Sequence, residues 1–242
     1  MDDAFFRFPH TPHLAWFGEG APRDDKVFSA AEREVFLAHE LIVEEKVDGA
    51  NLGLSFDSEG NPRIQNRGGY LLAPFSGQFR RLGEWFARHE GMLFDALGDR
   101  LILFGEWTAA RHSLEYSALP DWFIGFDLYD REVGGFWSTR RRDGLMSDLG
   151  IAVVARLHRG GCSLRELRER LGGAASHYRE GGVEGFYLRV EDEDWLKARA
   201  KLVSPGFTQN IGEHWSRRAL EWNRLGQGEF AGTRSYASSL SR

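Results

Sequence analysis

The chain has 242 residues, 42% of them hydrophobic, enough for one globular unit with a substantial core. A net charge of -5 excludes a surface coated in basic patches, so any contact with a polyanion must be local. The single cysteine, Cys162, cannot form an internal disulfide, no apolar run approaches the ~20 residues of a membrane span, and the start MDDAFFRF carries no secretory pattern, so a reducing cytoplasm is the expected setting.

Ser29 with Glu32 three residues later forms a capping box and predicts a short helix over SAAEREVFLAHE. ELIVEEKV, NLGLSFD and PRIQNRG, separated by Asp48-Gly49 and by DSEGN, read as successive antiparallel strands, with Asp48-Gly49 suited to a hairpin turn. Phe79, Leu82, Trp85, Phe86 and Leu93 recur at near-helical spacing and predict a helix over 79–97. RLILFGEW and DWFIGFDLYD are strands, 139–149 is a helix stopped by Gly150, and IAVVAR is a buried strand. Ser163 with Glu166 repeats the capping device over SLRELRERLGG. The strands VEGFYLRVE and WLKARAKLV follow, then an amphipathic helix over 213–222. From Gly226 the sequence is small and polar, so the expected layout is one domain over 1–225 and a frayed tail over 226–242. Helices inserted irregularly among strands predict an α+β fold of antiparallel sheets with flanking helices. Neither G-x-x-x-x-G-K-[ST] nor a G-x-G-x-x-G after a strand is present, which disfavours the two standard phosphate cradles.

Taken alone, Lys46 in EEKVDGAN is a solvated strand-end residue, and the runs Arg140-Arg141-Arg142, Arg165/Arg168/Arg170 and Arg217/Arg218/Arg224 are solvated helix faces. His10 and His13 are spaced as a metal pair but read as surface histidines of a loop. Other segments put charge inside apolar strands, where burial is costly without a partner: Arg67, Glu106, Glu184, and the set Lys197, Arg199 and Lys201. Spacing of two sends the three cations to one face, which either meets an anion or forms a solvent-facing edge strand. Phe126 on its own is a core aromatic.

In chain order these segments resemble the covalent nucleotidyltransferase superfamily of polynucleotide ligases and mRNA capping enzymes. They are K-x-D-G at Lys46 to Gly49, Q-N-R-G with Arg67, F-G-E at Phe104 to Glu106, F-D-L-Y at Phe126 to Tyr129, E-G-F at Glu184 to Phe186, and the basic strand ending in Lys201. The stretch ARHSLEYSALPDWFIGFDLYD is most similar to ATP-dependent RNA ligases of the RNA ligase 2 type. The resemblance implies a nucleotidyltransferase (adenylation) domain, ATP-grasp-like in architecture. It also implies ATP as the nucleotide, Mg²⁺ or Mn²⁺, and RNA with 5′-phosphate and 3′-hydroxyl ends as the substrate. It makes Lys46 the nucleophile that carries AMP and sets Lys201 and Arg199 beside the phosphates. Asp48 and Glu184 become the metal-side carboxylates, with Gly49 in the nucleophile's turn. Glu106 is implied as the acceptor of a ribose hydroxyl, Phe126 as the partner of adenine, Glu45 as a neighbour of the adenine amino group, and Arg67 as a contact of the ribose or the incoming end. An ammonium cannot attack, so cations beside Lys46 are expected to favour its neutral form.

Two departures bear on this reading. The final motif, commonly K-x-K, aligns with Lys197-Ala198-Arg199 or, in better keeping with the VSPGF that follows, with Arg199-Ala200-Lys201, and the stretch after Lys201 is expected to be too short for an OB domain. A bare domain of this kind would act alone on a substrate it grips itself, or with a partner protein. A minimal DNA ligase and a non-catalytic module that binds nucleic-acid ends are the alternatives.

Overall fold

In the computed structural model the described residues are 5–18, 22, 26–208 and 220–226. Among the described residues, nine strands form two antiparallel sheets. The first is ordered β7-β1-β8-β9, from β1 (Leu41–Lys46), β7 (Arg156–Gly160), β8 (Gly185–Glu191) and β9 (Leu196–Val203). The second is ordered β3-β2-β4-β5-β6, from β2 (Ala50–Phe56), β3 (Pro62–Gln65), β4 (Leu101–Trp107), β5 (Phe123–Asp130) and β6 (Gly135–Phe136). The α+β expectation holds. The Asp48-Gly49 hairpin does not: β1 pairs with β7 and β8, β2 pairs with β3 and β4, and the turn carries the chain from one sheet to the other.

Both capping boxes form, Ser29 with Glu32 opening α1 (Ala30–Leu37) and Ser163 with Glu166 opening α4 (Leu164–Gly173). Phe36 of α1 and Leu167 and Leu171 of α4 join Leu41, Val43, Leu188 and Leu202 in the core of the first sheet. After a 3-10 turn at Gly77–Phe79, α2 (Leu82–Leu97) buries Leu82, Trp85, Phe86, Leu93 and Leu97. They pack against Leu52, Leu54, Phe56, Leu103 and Phe123 of the second sheet, the apolar stripe that the helical spacing foretold.

Helix α3 (Thr139–Asp148) ends before Gly150, whose φ of 63° is the left-handed conformation that glycine adopts without strain. IAVVAR is not a strand. Only Val153 bridges, to Gly125, and regular pairing begins at Arg156. The helix expected over 213–222 falls mostly outside the described residues, and 220–222 are not helical. A short α5 (Pro205–Thr208) follows β9. His13 is buried with its ring against Trp16, which corrects the surface reading for that residue.

Candidate active site

Lys46 ends β1 at the point where the chain leaves the first sheet, and its Nζ lies 2.5 Å from Oε1 of Glu184, at the start of β8. Register sets this contact, because Lys46 is opposite Gly185 and Glu184 immediately precedes it. The three-residue connection to β2 is fixed on both sides. The Asp48 amide donates to the Tyr116 hydroxyl, and the Gly49 amide donates to Oε1 of Glu106 on β4, 2.9 Å away. A Cβ at Gly49 would sit 2.5 Å from the Trp107 carbonyl oxygen, so only glycine allows this approach. Glu106 follows a register shift between Phe104 and Gly105, an irregularity of the kind that re-aims a side chain. Oδ2 of Asp48 accepts from the Ser113 and Leu114 amides and so holds the segment that carries His112.

These groups line one cavity of about 810 Å³ between the sheets. Its walls include Glu45, Lys46, Asp48, Gly49, Arg67, Glu106, Phe126 and Lys201, so most of the residues singled out in the sequence converge there. Glu184 reaches it through its contact with Lys46. The walls also include Phe8, Thr11, Asn51, Gln78, His112 and Tyr187, which carry no local sequence signal of a site. The Phe126 and Tyr187 rings are near-parallel, inclined 26° with centroids 6.4 Å apart. Thr11 Oγ1 lies 2.8 Å from the Tyr187 hydroxyl.

Arg199 is not among the cavity walls. Its guanidinium donates to Asp127 at 2.8 Å and stacks over Phe136 at 3.9 Å. Lys197 points outward to Asp192, 2.5 Å away. Of the three cations, Arg199 and Lys197 turn to Asp127 and Asp192, and Lys201 is the one that lines the cavity. Glu45 and Lys46 part to different partners, as alternation requires. Glu45 is buried and accepts from the Ser176 hydroxyl at 2.5 Å and the His177 amide at 2.9 Å.

Beneath the cavity lies a buried ionic floor. Arg142 was expected on a solvated helix face, but it is 1% exposed and donates to Glu44 at 2.5 Å and to the Phe126 carbonyl at 2.6 Å. Arg189 of β8 donates to Asp127 of β5 at 2.6 Å and to the same Phe126 carbonyl at 3.2 Å, tying the two sheets together. Arg165, Arg168 and Arg170 are exposed as expected, while Arg217 and Arg218 lie outside the described residues.

The electrostatics differ from the cationic surroundings expected for Lys46. Burial disfavours its charge, but the carboxylates of Glu184 and Asp48 outweigh burial and hold the ammonium above the usual lysine range. Burial pushes Glu106 up to about 8 and Glu184 up to about 7, each opposed by Lys46. Three carboxylates around one ammonium, with Arg67 and Lys201 near, make a site that attracts cations. The second oxygen of Glu184 is buried with no hydrogen-bond partner. Hard oxygen donors and an orphaned carboxylate oxygen fit Mg²⁺ or Mn²⁺ that takes its remaining ligands from phosphate and water. No group of three metal-ligating side chains occurs among the described residues.

Lys46, a cluster of carboxylates, two near-parallel aromatic rings and Lys201 thus gather at one cleft between two antiparallel sheets. The RNA ligase family model matches residues 39–203, and the chain belongs to that family of enzymes. No curated protein matches it. Among solved structures, Naegleria gruberi RNA ligase with PPi is 16% identical and superposes with a TM-score of 0.61 over 86% of this chain and 64% of that one. A mutant of the same ligase with ATP and Mn is 17% identical, TM-score 0.54, over 74% of this chain and 54% of that one. A further mutant with AMP and Mn is 16% identical, TM-score 0.56, over 73% and 53%. The chain thus spans between about half and two thirds of the length of these ligases. No helix among the described residues is long and apolar enough to cross a membrane.

Proposed function

We propose that this protein is an ATP-dependent RNA ligase in which Lys46 forms a covalent lysyl-AMP. The observation that carries the reading is convergence. Lys46, Glu106, Phe126, Glu184 and Lys201 come from five different strands or strand ends, yet meet around one cavity. Lys46 Nζ passes its proton to Glu184 Oε1, 2.5 Å away, and through it to water, then attacks the α-phosphorus of ATP; a P–N bond forms, the bond to the bridging oxygen breaks, and pyrophosphate leaves. Charge that grows on the phosphate oxygens is met by Lys201, with Arg67 a second cation in the cavity wall. Phe126 and Tyr187 provide flat faces for the purine, and Glu106 an acceptor for a ribose hydroxyl. A divalent ion bound through Glu184, with Asp48 next to it, would supply positive charge to the phosphates. The AMP then passes to a 5′-phosphate end, and an RNA 3′-hydroxyl displaces it to seal the strand.

Incubation with α-labelled ATP and Mn²⁺ or Mg²⁺, followed by a denaturing gel, tests the first step. Label should survive denaturation in the wild type and be absent in Lys46→Ala. An unlabelled wild type across metals and pH refutes the reading and leaves a module that binds ends without turnover. Sealing of nicked duplexes with RNA or DNA on the 3′-hydroxyl side decides between RNA and DNA ligation.

A further inference from the structure

Gln78 and Phe79 line the cavity, and Arg80 and Arg81 follow them directly in the chain, where the 3-10 turn passes into α2. The Arg80 guanidinium lies over the Trp222 ring at 5.1 Å from its centroid, and Arg81 is held between Trp122 at 4.8 Å and Trp222 at 4.5 Å. Trp222 is itself anchored by its neighbour Asn223, whose buried amide donates to the Thr108 carbonyl at 2.7 Å. Stacking fixes the planes of the two guanidinium groups while leaving their N–H edges for an acceptor.

Arg141 is stacked in the same way, 4.0 Å from the Trp137 centroid and 4.7 Å from that of Trp195, but only Arg80 and Arg81 directly follow the cavity residues Gln78 and Phe79 in the chain. Arg100, Arg142, Arg159 and Arg189 each meet a carboxylate, whereas among the described residues no ion pair forms at Arg67, Arg80 or Arg81. Arg81 is also the N-cap of α2 and makes no side-chain cap bond, so both cations sit at the positive end of a sixteen-residue helix. That position repels cations and favours anions. The acid of the first turn, Glu84, lies near Arg88 at 4.0 Å. Stacked cations without an ion pair, at a helix end that disfavours them, form a place for phosphate next in the chain to the cavity residues Gln78 and Phe79.

We propose that Arg80 and Arg81, stacked on Trp122 and Trp222, form the track along which the backbone of the RNA end enters the cavity. This rests on the ligase reading and adds to it the surface that grips the strand. In a chain of net charge -5, a local strip of this kind supplies the polyanion contact that the bulk composition does not.

The test is the affinity of the full chain for a short 5′-phosphorylated RNA at several salt concentrations, beside self-labelling with α-labelled ATP. The double variant Arg80→Gln/Arg81→Gln should raise Kd by about 10-fold or more and lower the slope of log Kd against log salt by about one to two. Self-labelling with ATP should stay within about twofold of wild type. Arg80→Lys/Arg81→Lys should restore the salt slope while recovering only part of the affinity, since lysine keeps the charge and loses the flat stack. The single Arg80→Gln, at an exposed position, gives the same sign if the double variant folds poorly. Unchanged affinity and salt slope in folded variants overturn the track. A wild type that binds RNA through these arginines but takes no label from ATP overturns the ligase reading instead.

Discussion

Glu106→Gln isolates the cost of a buried carboxylate at this site. Glu106 ionises near 8 in the fold against an ordinary 4.5, burial being the largest cause. The folded state therefore binds more protons than the unfolded state between these values, and stability falls as pH rises across the window. At about 1.4 kcal/mol per pH unit the ceiling is about 5 kcal/mol. Glu106 is partly open to water, and relaxation reduces the effective penalty to ~2 kcal/mol. Glutamine keeps an oxygen that can accept from the Gly49 amide, 2.9 Å from Oε1, so the substitution removes the charge and retains the bond. Urea unfolding of both proteins in a metal chelator should show stabilities within ~0.5 kcal/mol at pH 5. By pH 8.5 the variant should be more stable by ~2 kcal/mol. A stability difference that stays constant between the two pH values, or that grows on acidification, refutes the reasoning.

Gly49→Ala places a Cβ 2.5 Å from the Trp107 carbonyl oxygen and 3.1 Å from Cγ of Glu106, so the turn must move away from β4. The expected results are a loss of ~2 kcal/mol in urea unfolding and at least a 10-fold fall in self-labelling rate. Arg142→Met leaves Glu44, 1% exposed, without its 2.5 Å partner and should cost about 3 kcal/mol or more. The double variant Arg142→Met/Glu44→Leu, measured the same way, should recover most of that loss.

Local rules carried much of the fold. The two serine caps, the α2 stripe and most strand positions follow from patterns confined to a few residues. What failed depended on distant partners. Asp48-Gly49 has the chemistry of a hairpin, but β1 and β2 find better neighbours in β8 and β4, and nothing within EEKVDGAN encodes that choice. IAVVAR is apolar because it packs against the cores: Ile151 and Val153 against one, Val154 and Ala155 against another, with only one bridge from Val153. Arg142 sits in a run of three arginines, and the carboxylate that draws it inward is 98 residues away. Motif order placed the cavity residues, while the turning of Arg199 toward Asp127 was hidden because Asp127 lies 72 residues upstream. Tyr116, Ser176 and His177, which brace both sides of Lys46, come from loops that carry no periodic signal.

The three residues from Val47 to Gly49 have a further meaning. A segment of that length reaches at most about 14 Å between the flanking strand ends, so neither sheet can slide far against the other without drawing this segment taut and breaking the Arg189–Asp127 bond that crosses between them. Lys46 therefore stands at one end of a short tether between two plates, and any rocking of one plate against the other is geared directly to the depth of its amine in the cleft. Lengthening that tether by even one residue would uncouple the gear while leaving every wall residue in place.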